Sequence, residues 1–440
     1  MNGIRSSAIL ALLSRETFFQ AARRGGMYRL TSTYSAILEY QVRAFNDVWR
    51  DAYSNVPFYD SWRRTHSLPE RIETLDELSA WPILLKKDLQ AAGETLLRKG
   101  VRPTAWLKTG GSTGEPLHLP TWPDTGIASS SQLLGRTPYG YSPGMRTFLL
   151  WGHHHLYGTG ATRQLAILKR QCKDYVSNFS RCSAYDLSAP AMNQAFHRYV
   201  RFDPECVIGF SAALVAFCRA NAFHGNSLPR PPRLVVSTAG PLSDLERKEL
   251  TAFFGCSICL EYGSVECGIM AYSRPGTKSY RTFWDTHVLQ GRADGTGHVR
   301  NIVSLLTPTY VPLIRYDIGD FLSVADASLP SHVDLVDVIG RPNDIVQLAD
   351  GTSFFGALIG DCVKQVSAVT GCQLFVLDRA VIVHVTASRP LTNEELALIR
   401  LRLETVVPQL RANSVTIECV PRLRVSPGGK SRLVIYGSPA

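Results

Sequence analysis

The chain has 440 residues, 45% hydrophobic and 19% charged, with 47 Lys and Arg against 37 Asp and Glu for a net charge of +10. At roughly one domain per 150 residues this is more than one small domain, and the composition is that of a globular chain rather than a disordered one. The 34 Gly and 25 Pro are scattered, which excludes collagen-like and low-complexity architectures.

The first apolar run, residues 8–13, is stopped by Arg15 and Glu16. It is too short to span a bilayer and lacks a cleavage signal, so a soluble, cytoplasmic protein is expected. Arg5, Arg15, Arg23, Arg24 and Arg29 read as a solvated N-terminal face. No Lys/Arg block with interleaved aromatics follows, so nucleic acid ranks below a small anionic ligand such as ATP or CoA. Leu38, Val42, Phe45, Trp49 and Tyr53 recur at helical spacing and predict a helix over 36–53, ended by Asn55-Val56-Pro57. A second helix starts near Lys86, after the turn at Trp81-Pro82.

Short β-branched or apolar runs then appear at 146–151, 164–168, 206–210, 234–238 and 256–261. Helical segments at 212–223 and 242–254 lie between them. This alternation predicts an α/β fold with a largely parallel sheet. After residue 300 the texture changes, with antiparallel strands expected at 298–306 and 332–338. From 344 the order is a strand or hairpin (344–355), helix (356–366), strands (372–378 and 380–387), helix (392–407) and strand (414–420). The expected organisation is a large α/β domain over 1–343 and a small mobile α+β domain over 344–440, hinged at Gly340-Arg341-Pro342-Asn343.

Ten Cys in a chain of this kind do not read as a disulfide framework. Cys256 and Cys259 form a CxxC, but in a strand residues three apart point to opposite faces, so both read as buried small hydrophobes. His153, His154 and His155 cannot all face one ion from a strand and read as a polar run after one.

Five stretches carry chemistry. Thr109, Gly110, Gly111, Ser112, Thr113 and Gly114 offer close-approaching amides and hydroxyls, which a phosphate cradle needs, without the lysine of a Walker A loop. Glu261-Tyr262-Gly263-Ser264-Val265-Glu266 places an aromatic, a turn and an acid at the end of a strand, where α/β sheets bind ligands. The bland alternative is a capped strand end before a helix. Leu313-Ile314-Arg315-Tyr316-Asp317-Ile318-Gly319-Asp320 ends in an acid after a Gly turn, suited to a pair of ribose hydroxyls or to a turn cap. Gly340-Arg341-Pro342-Asn343-Asp344 marks the hinge, and Gly428-Gly429-Lys430 puts a lysine on a Gly-rich loop near the C-terminus.

Taken in order over residues 36–436, these motifs resemble the adenylate-forming (AMP-binding) superfamily, and most of all its phenylacetate–CoA ligase and CapK-like branch. The segment Tyr53-Ser54-Asn55-Val56-Pro57-Phe58-Tyr59 is similar to the N-terminal region of that branch. The resemblance implies the acyl-CoA synthetase-like fold and an enzyme that activates a carboxylic acid, aromatic in this branch, with ATP and Mg2+. Pyrophosphate leaves and the acyl group passes to CoA. The alternatives are another acceptor (an amine, a carrier protein or a sugar) and a nucleotide-binding protein without turnover. The resemblance implies that 109–114 hold the ATP phosphates, that Ala239, Gly240, Glu261, Tyr262 and Gly263 line the adenine, and that Ser264 sits beside the α-phosphate. It further implies that Glu266 ligates Mg2+, Asp320 and Arg341 hold the ribose, and Lys430 bridges carboxylate and α-phosphate. Glu115 stands where the family often has Lys, Val265 where it has Thr, and Asn343 where it has an acid, which implies a divergent member. No nucleic-acid or membrane partner is expected, and a homodimer stays open. Residues 150–160, 209–214 and 237–241, with Trp151, Tyr157 and Phe210, are the candidate acyl pocket.

Overall fold

A computed structural model describes residues 15–31, 33–103, 105–108, 117–121, 126–151, 160–184, 189–223, 227–240, 242, 244–293, 299–307, 311–340, 345–348, 353–355, 359, 362–363, 366, 368–378, 380–406, 414–424 and 434–438. The chain forms two compact units, one of Met1–Thr109, Leu117–Pro143 and Cys259–Arg341, the other of Gly110–Pro116, Gly144–Ile258 and Pro342–Ala440.

In the first unit the helix Tyr34–Asn55 starts at Thr33, whose hydroxyl accepts from the Ala36 amide at 3.3 Å. It buries Ile37, Gln41, Phe45, Val48, Trp49 and Ala52, the stripe that its 3.6-residue period dictates. Pro57 ends it by forcing Val56 into an extended conformation, and then serves as the first residue of the helix Pro57–Thr65. The expected helix at Lys86 is the short Lys86–Ala92. The N-terminal basic stretch differs from expectation. It contains the helix Arg15–Leu30, and Arg24 is fully buried rather than solvated. Thr17, Ala21 and Arg24 share one buried face at helical spacing.

Strands are numbered along the chain. The first unit opens with a hairpin of β1 (Ala105–Lys108) and β2 (His118–Thr121). The second unit contains β3 (Thr147–Trp151), β4 (Phe179–Ser183), β5 (Cys206–Phe210) and β6 (Leu234–Thr238). They pair in parallel in the order β6-β5-β3-β4. Their apolar runs are the sequence form of strands covered on both faces. Helices Gly160–Val176, Ala189–Phe202 and Ser211–Phe223 connect them, as parallel pairing requires. The run 164–168, expected to be a strand, lies inside the helix Gly160–Val176. Five apolar or neutral residues fit either period, and the Ala, Gln, Leu, Lys and Arg around them are helix formers. Leu168 is exposed, as a residue on the outer face of a helix is.

The first unit resumes with β7 (Ile258–Ser264), β8 (Gly268–Ser273), β9 (Tyr280–Thr282), β10 (His287–Ala293), β11 (Val299–Leu305), β12 (Tyr316–Ser323), β13 (Asp334–Leu335) and β14 (Asp337–Gly340). Strands β7, β8, β9 and β13 pair antiparallel in that order. Strands β10, β11, β12 and β14 form a separate antiparallel sheet. The Tyr-Gly-Ser strand end therefore runs into a hairpin, not a helix, and the 332–338 run divides between two sheets.

The second unit ends with a hairpin of β15 (Ile345–Gln347) and β16 (Ser353–Phe355), then β17 (Val369–Val376), β18 (Ala380–Ala387), β19 (Ser414–Cys419) and β20 (Val434–Tyr436). The last four form a sheet ordered β19-β18-β17-β20. Its core gathers Val346, Val363, Leu374, Val383 and, from the helix Asn393–Val406, Ile399 and Leu403. Among the described residues no helix is long and apolar enough to cross a membrane.

Candidate functional site

Two motifs that lie far apart in sequence meet in the first unit. Gly263 sits where β7 and β8 shift register, and a Cβ there would come within 2.6 Å of the Gly268 carbonyl oxygen, so only glycine fits. Ser264 closes the turn by accepting from the Cys267 amide at 3.0 Å. Tyr262 points into the interior, and its hydroxyl donates to Asp320 Oδ2 at 3.1 Å. Asn301 Nδ2 donates to the same hydroxyl at 2.8 Å.

The register of β12 explains how Asp320 gets there. Arg300 faces Phe321 and Ile302 faces Asp317, so Ile318, Gly319 and Asp320 bulge opposite Asn301 alone. Gly319 supports the bulge with a φ of +83° and donates its amide to Asp317 Oδ1 at 2.9 Å. Burial, reinforced by the charge of Asp320, holds the Tyr262 phenol well above its usual range, so it stays a donor. Asn301 is fully buried, and its Oδ1 has no partner among the described residues. An acid, a phenol and an amide thus converge in one cluster.

The neighbouring residues divide into structure and candidates. The Glu261 carboxylate binds Arg136 Nη2 at 2.7 Å and receives the Tyr272 hydroxyl. Both ion-pair partners are buried, and the pair ties the helix Ile127–Arg136 to the hairpin. His287 Nε2 lies 2.8 Å from the Cys267 carbonyl, which can only accept, so the ring donates from Nε2. Burial lowers the pKa of His287, keeping the ring neutral. Glu266 is half-buried in the same turn and Val265 is half-exposed. Among the described residues no three His, Cys, Asp or Glu side chains gather as a metal cage. Mg2+ bound with a nucleotide needs only one or two carboxylates beside phosphates and water, so a single Glu266 fits that ion.

The second unit contributes a different construction. Trp151 ends β3 and Phe210 ends the adjacent β5, with ring centroids 4.6 Å apart. Both lie at the C-terminal edge of the parallel strands, as does Thr238 at the end of β6. Ala239 follows in the left-handed region, φ +62°, which is strained for a residue with a Cβ. Ser211 holds this turn: its Oγ donates to the Gly240 carbonyl at 2.6 Å and lies 2.8 Å from Ser237 Oγ. Cys259 is fully buried, and burial pushes the Cys256 thiol up to about 11, so Cys256 is not a thiolate at neutral pH.

Thr109, Gly110, Gly111, Ser112, Thr113, Gly114, Arg341 and Lys430 lie outside the described residues, as do Glu115, Asn343, Tyr157 and the His153–155 run. Asn301 and Arg136 are the residues that motif reading passes over. Asn301 did leave a signal, a polar residue inside the run 299–305, where every other uncharged neighbour except Ser304 is apolar.

No family model matches the chain. The chain is similar to Protein CapK of Staphylococcus aureus, 21% identical over 417 residues that cover 91% of this chain and 89% of CapK. Its fold matches 2-hydroxyisobutyryl-CoA ligase in complex with 2-HIB-AMP and CoA in the thioesterification state, with TM-score 0.58 and 13% identity over 92% of this chain and 91% of that one. The same ligase in the postadenylation state with R3-HIB-AMP matches with TM-score 0.53 and 14% identity, covering 92% and 89%.

Proposed function

We propose a function from the premise that the chain belongs to the adenylate-forming superfamily, as a distant homologue of CapK with the α/β fold of an acyl-CoA ligase. It activates a carboxylic acid with ATP. A carboxylate oxygen attacks the α-phosphorus, the bond to the bridging oxygen breaks, pyrophosphate leaves and an acyl-adenylate forms. A thiol, that of CoA, then attacks the acyl carbon and AMP leaves. The observation that carries this reading is the Tyr262–Asn301–Asp320 cluster, which gives a buried carboxylate a fixed position on a bulged strand.

In this proposal Asp320 accepts from the ribose hydroxyls and Tyr262 fixes the carboxylate. Ala239, Gly240 and Gly263 border the adenine with the backbone of Glu261, whose carboxylate is committed to Arg136. Ser264 lies beside the α-phosphate. Glu266 would hold Mg2+, which supplies charge neutralisation for the phosphates. Thr109, Gly110, Gly111, Ser112, Thr113 and Gly114 cradle those phosphates, and Arg341 supports the ribose. Lys430, carried by a lid over 344–440, bridges the attacking carboxylate and the α-phosphate. Two anions must approach, so positioning and charge supply most of the catalysis. The Trp151–Phe210 pair supports an aromatic acid as substrate.

The test is mass spectrometry of the chain with Mg-ATP, CoA and a panel of aryl, arylacetic, hydroxy and fatty acids. AMP and an acyl-CoA appearing together are expected. An acyl-adenylate without thioester moves the acceptor to an amine, a carrier protein or a sugar, and neither product with any acid overturns the proposal. Lys430→Ala is expected to abolish pyrophosphate release while ATP still binds.

A further inference from the structure

The sheet that carries Asn301 and Asp320 has a second feature on its other face. Gly291 pairs with Asn301 and Gln290 with Ile302, and successive side chains of a strand point to opposite faces. Gln290 and Ile302 therefore turn away from the Tyr262 cluster. They line a pocket of about 460 Å³, together with Ser79, Trp81, Arg292 and Arg315. The segment before the helix Lys86–Ala92 forms the opposing wall. It is pinned to β12 by the Leu84 amide donating to the Arg315 carbonyl and the Asp317 amide donating to the Leu84 carbonyl, both at 2.9 Å.

Arg315 is the anomaly. It is 6% exposed and has a φ of +51°, a strained conformation for a bulky residue. Its amide donates to Ser304 Oγ at 2.9 Å, and its Nη1 donates to the Leu78 carbonyl. Its Nε has no partner among the described residues. Among the described residues no carboxylate pairs with Arg315 or with Arg292, whereas Arg24, Arg136 and Arg300 each have one. Burial, and the like charge of Arg292, lower the Arg315 pKa to about 10. Gln290 is 8% exposed, and its Oε1 also lacks a partner among the described residues. The pocket is thus lined by a buried guanidinium without a carboxylate partner among the described residues, a second cation at its rim and a buried amide, beside Trp81.

We propose that this pocket is a second ligand site, distinct from the Tyr262–Asp320 cluster, for a small organic anion. The ligand places phosphate or carboxylate oxygens on the Arg315 guanidinium and on Arg292, and a neighbouring hydroxyl on the Gln290 amide. A buried guanidinium without a counter-ion is costly, and an anion of this kind supplies the missing charge. The volume is that of a site for a small metabolite rather than for a bare inorganic ion.

The test uses the full chain labelled with 5-fluorotryptophan, with the Trp81 resonance assigned through Trp81→Phe. Glycerol 3-phosphate and malate are the probes, one bringing phosphate and the other carboxylate beside a hydroxyl. At least one is expected to shift the Trp81 resonance saturably, and which one does so names the anion. Arg292→Gln, at the exposed rim, is expected to weaken that binding about tenfold, as loss of one charge-assisted bond does. Arg315→Met is expected to abolish it. Because Arg292 is exposed, its variant keeps the test valid if Arg315→Met fails to fold. No saturable Trp81 shift from either probe overturns the proposal, and so does a shift that Arg292→Gln leaves unchanged.

Discussion

Arg24 and Arg315 are both buried in the first unit, and they end differently. Arg24 meets Asp285 through Nε at 2.6 Å and Nη2 at 3.0 Å. Its Nη1 reaches Ser131 Oγ at 2.8 Å, Ser130 Oγ at 2.9 Å and the Ile127 carbonyl at 3.1 Å. Burial alone would lower its pKa, but the hydrogen bond and charge of Asp285 outweigh it and the pKa rises. Arg315 has a carbonyl, no carboxylate among the described residues and an idle Nε, and its pKa falls. A buried charge whose hydrogen bonds close within the chain belongs to the scaffold. A buried charge without a carboxylate, as at Arg315, is where the proposed anion binds.

That contrast can be broken most directly by stability. Asp285→Ala leaves Arg24 buried and unpaired, and is expected to cost about 3–5 kcal/mol in urea denaturation. Arg315→Met removes a charge that has no carboxylate partner among the described residues to orphan, and is expected to change stability by only about 1 kcal/mol. Equal losses from the two variants would erase the distinction.

The Tyr262–Asp320 cluster lies between these extremes, since its groups are partly satisfied within the chain. If it is completed by a nucleotide, Asp320→Ala should weaken ATP binding by tenfold or more in calorimetry, as loss of bonds to a charged acceptor does. Tyr262→Phe should weaken it less, because the phenol only fixes the carboxylate. Unchanged ATP affinity in Asp320→Ala would make the cluster scaffold, like Arg24.

Two buried histidines give a further, smaller effect. Burial lowers the pKa of both His287 and His332 from 6.5. The unfolded chain then binds more protons than the folded one below that pH, so stability is full above about 6.5 and falls as the pH drops. Urea midpoints at pH 7 and pH 5 check this. His332→Asn, which removes a ring whose Nε2 has no partner among the described residues, should flatten the dependence.

The sequence made some of this legible and hid the rest for identifiable reasons. Strands β3, β5 and β6 stand out because strands buried on both faces read as unbroken apolar runs. Residues 164–168 mimic such a run and are helix, since a short apolar stretch fits both periods. The Arg24 ion pair was invisible because its partner Asp285 is 261 residues away. Tyr262 and Asp320 were legible as motifs, but Asn301, which joins them, belongs to none. That no carboxylate among the described residues meets Arg315 is a fact of its surroundings in space, which no local pattern records.

The smallest expected effect concerns Ala239 in the second unit. Its φ of +62° is held by Ser211, which donates to the next carbonyl in the chain. Ala239→Gly removes the clash between Cβ and backbone but adds freedom to the unfolded chain, so the two effects partly cancel. A net stabilisation of about 0.5–1 kcal/mol is expected in urea denaturation. If the turn is strained only because the sheet ends there, the variant gains stability and keeps its rate of pyrophosphate release. If the strain positions the Gly240 backbone for a nucleotide, the gain comes with slower release. Unlike Arg315, whose open bonds mark a site by what is missing, Ala239 would then mark one by what is held in place at a cost.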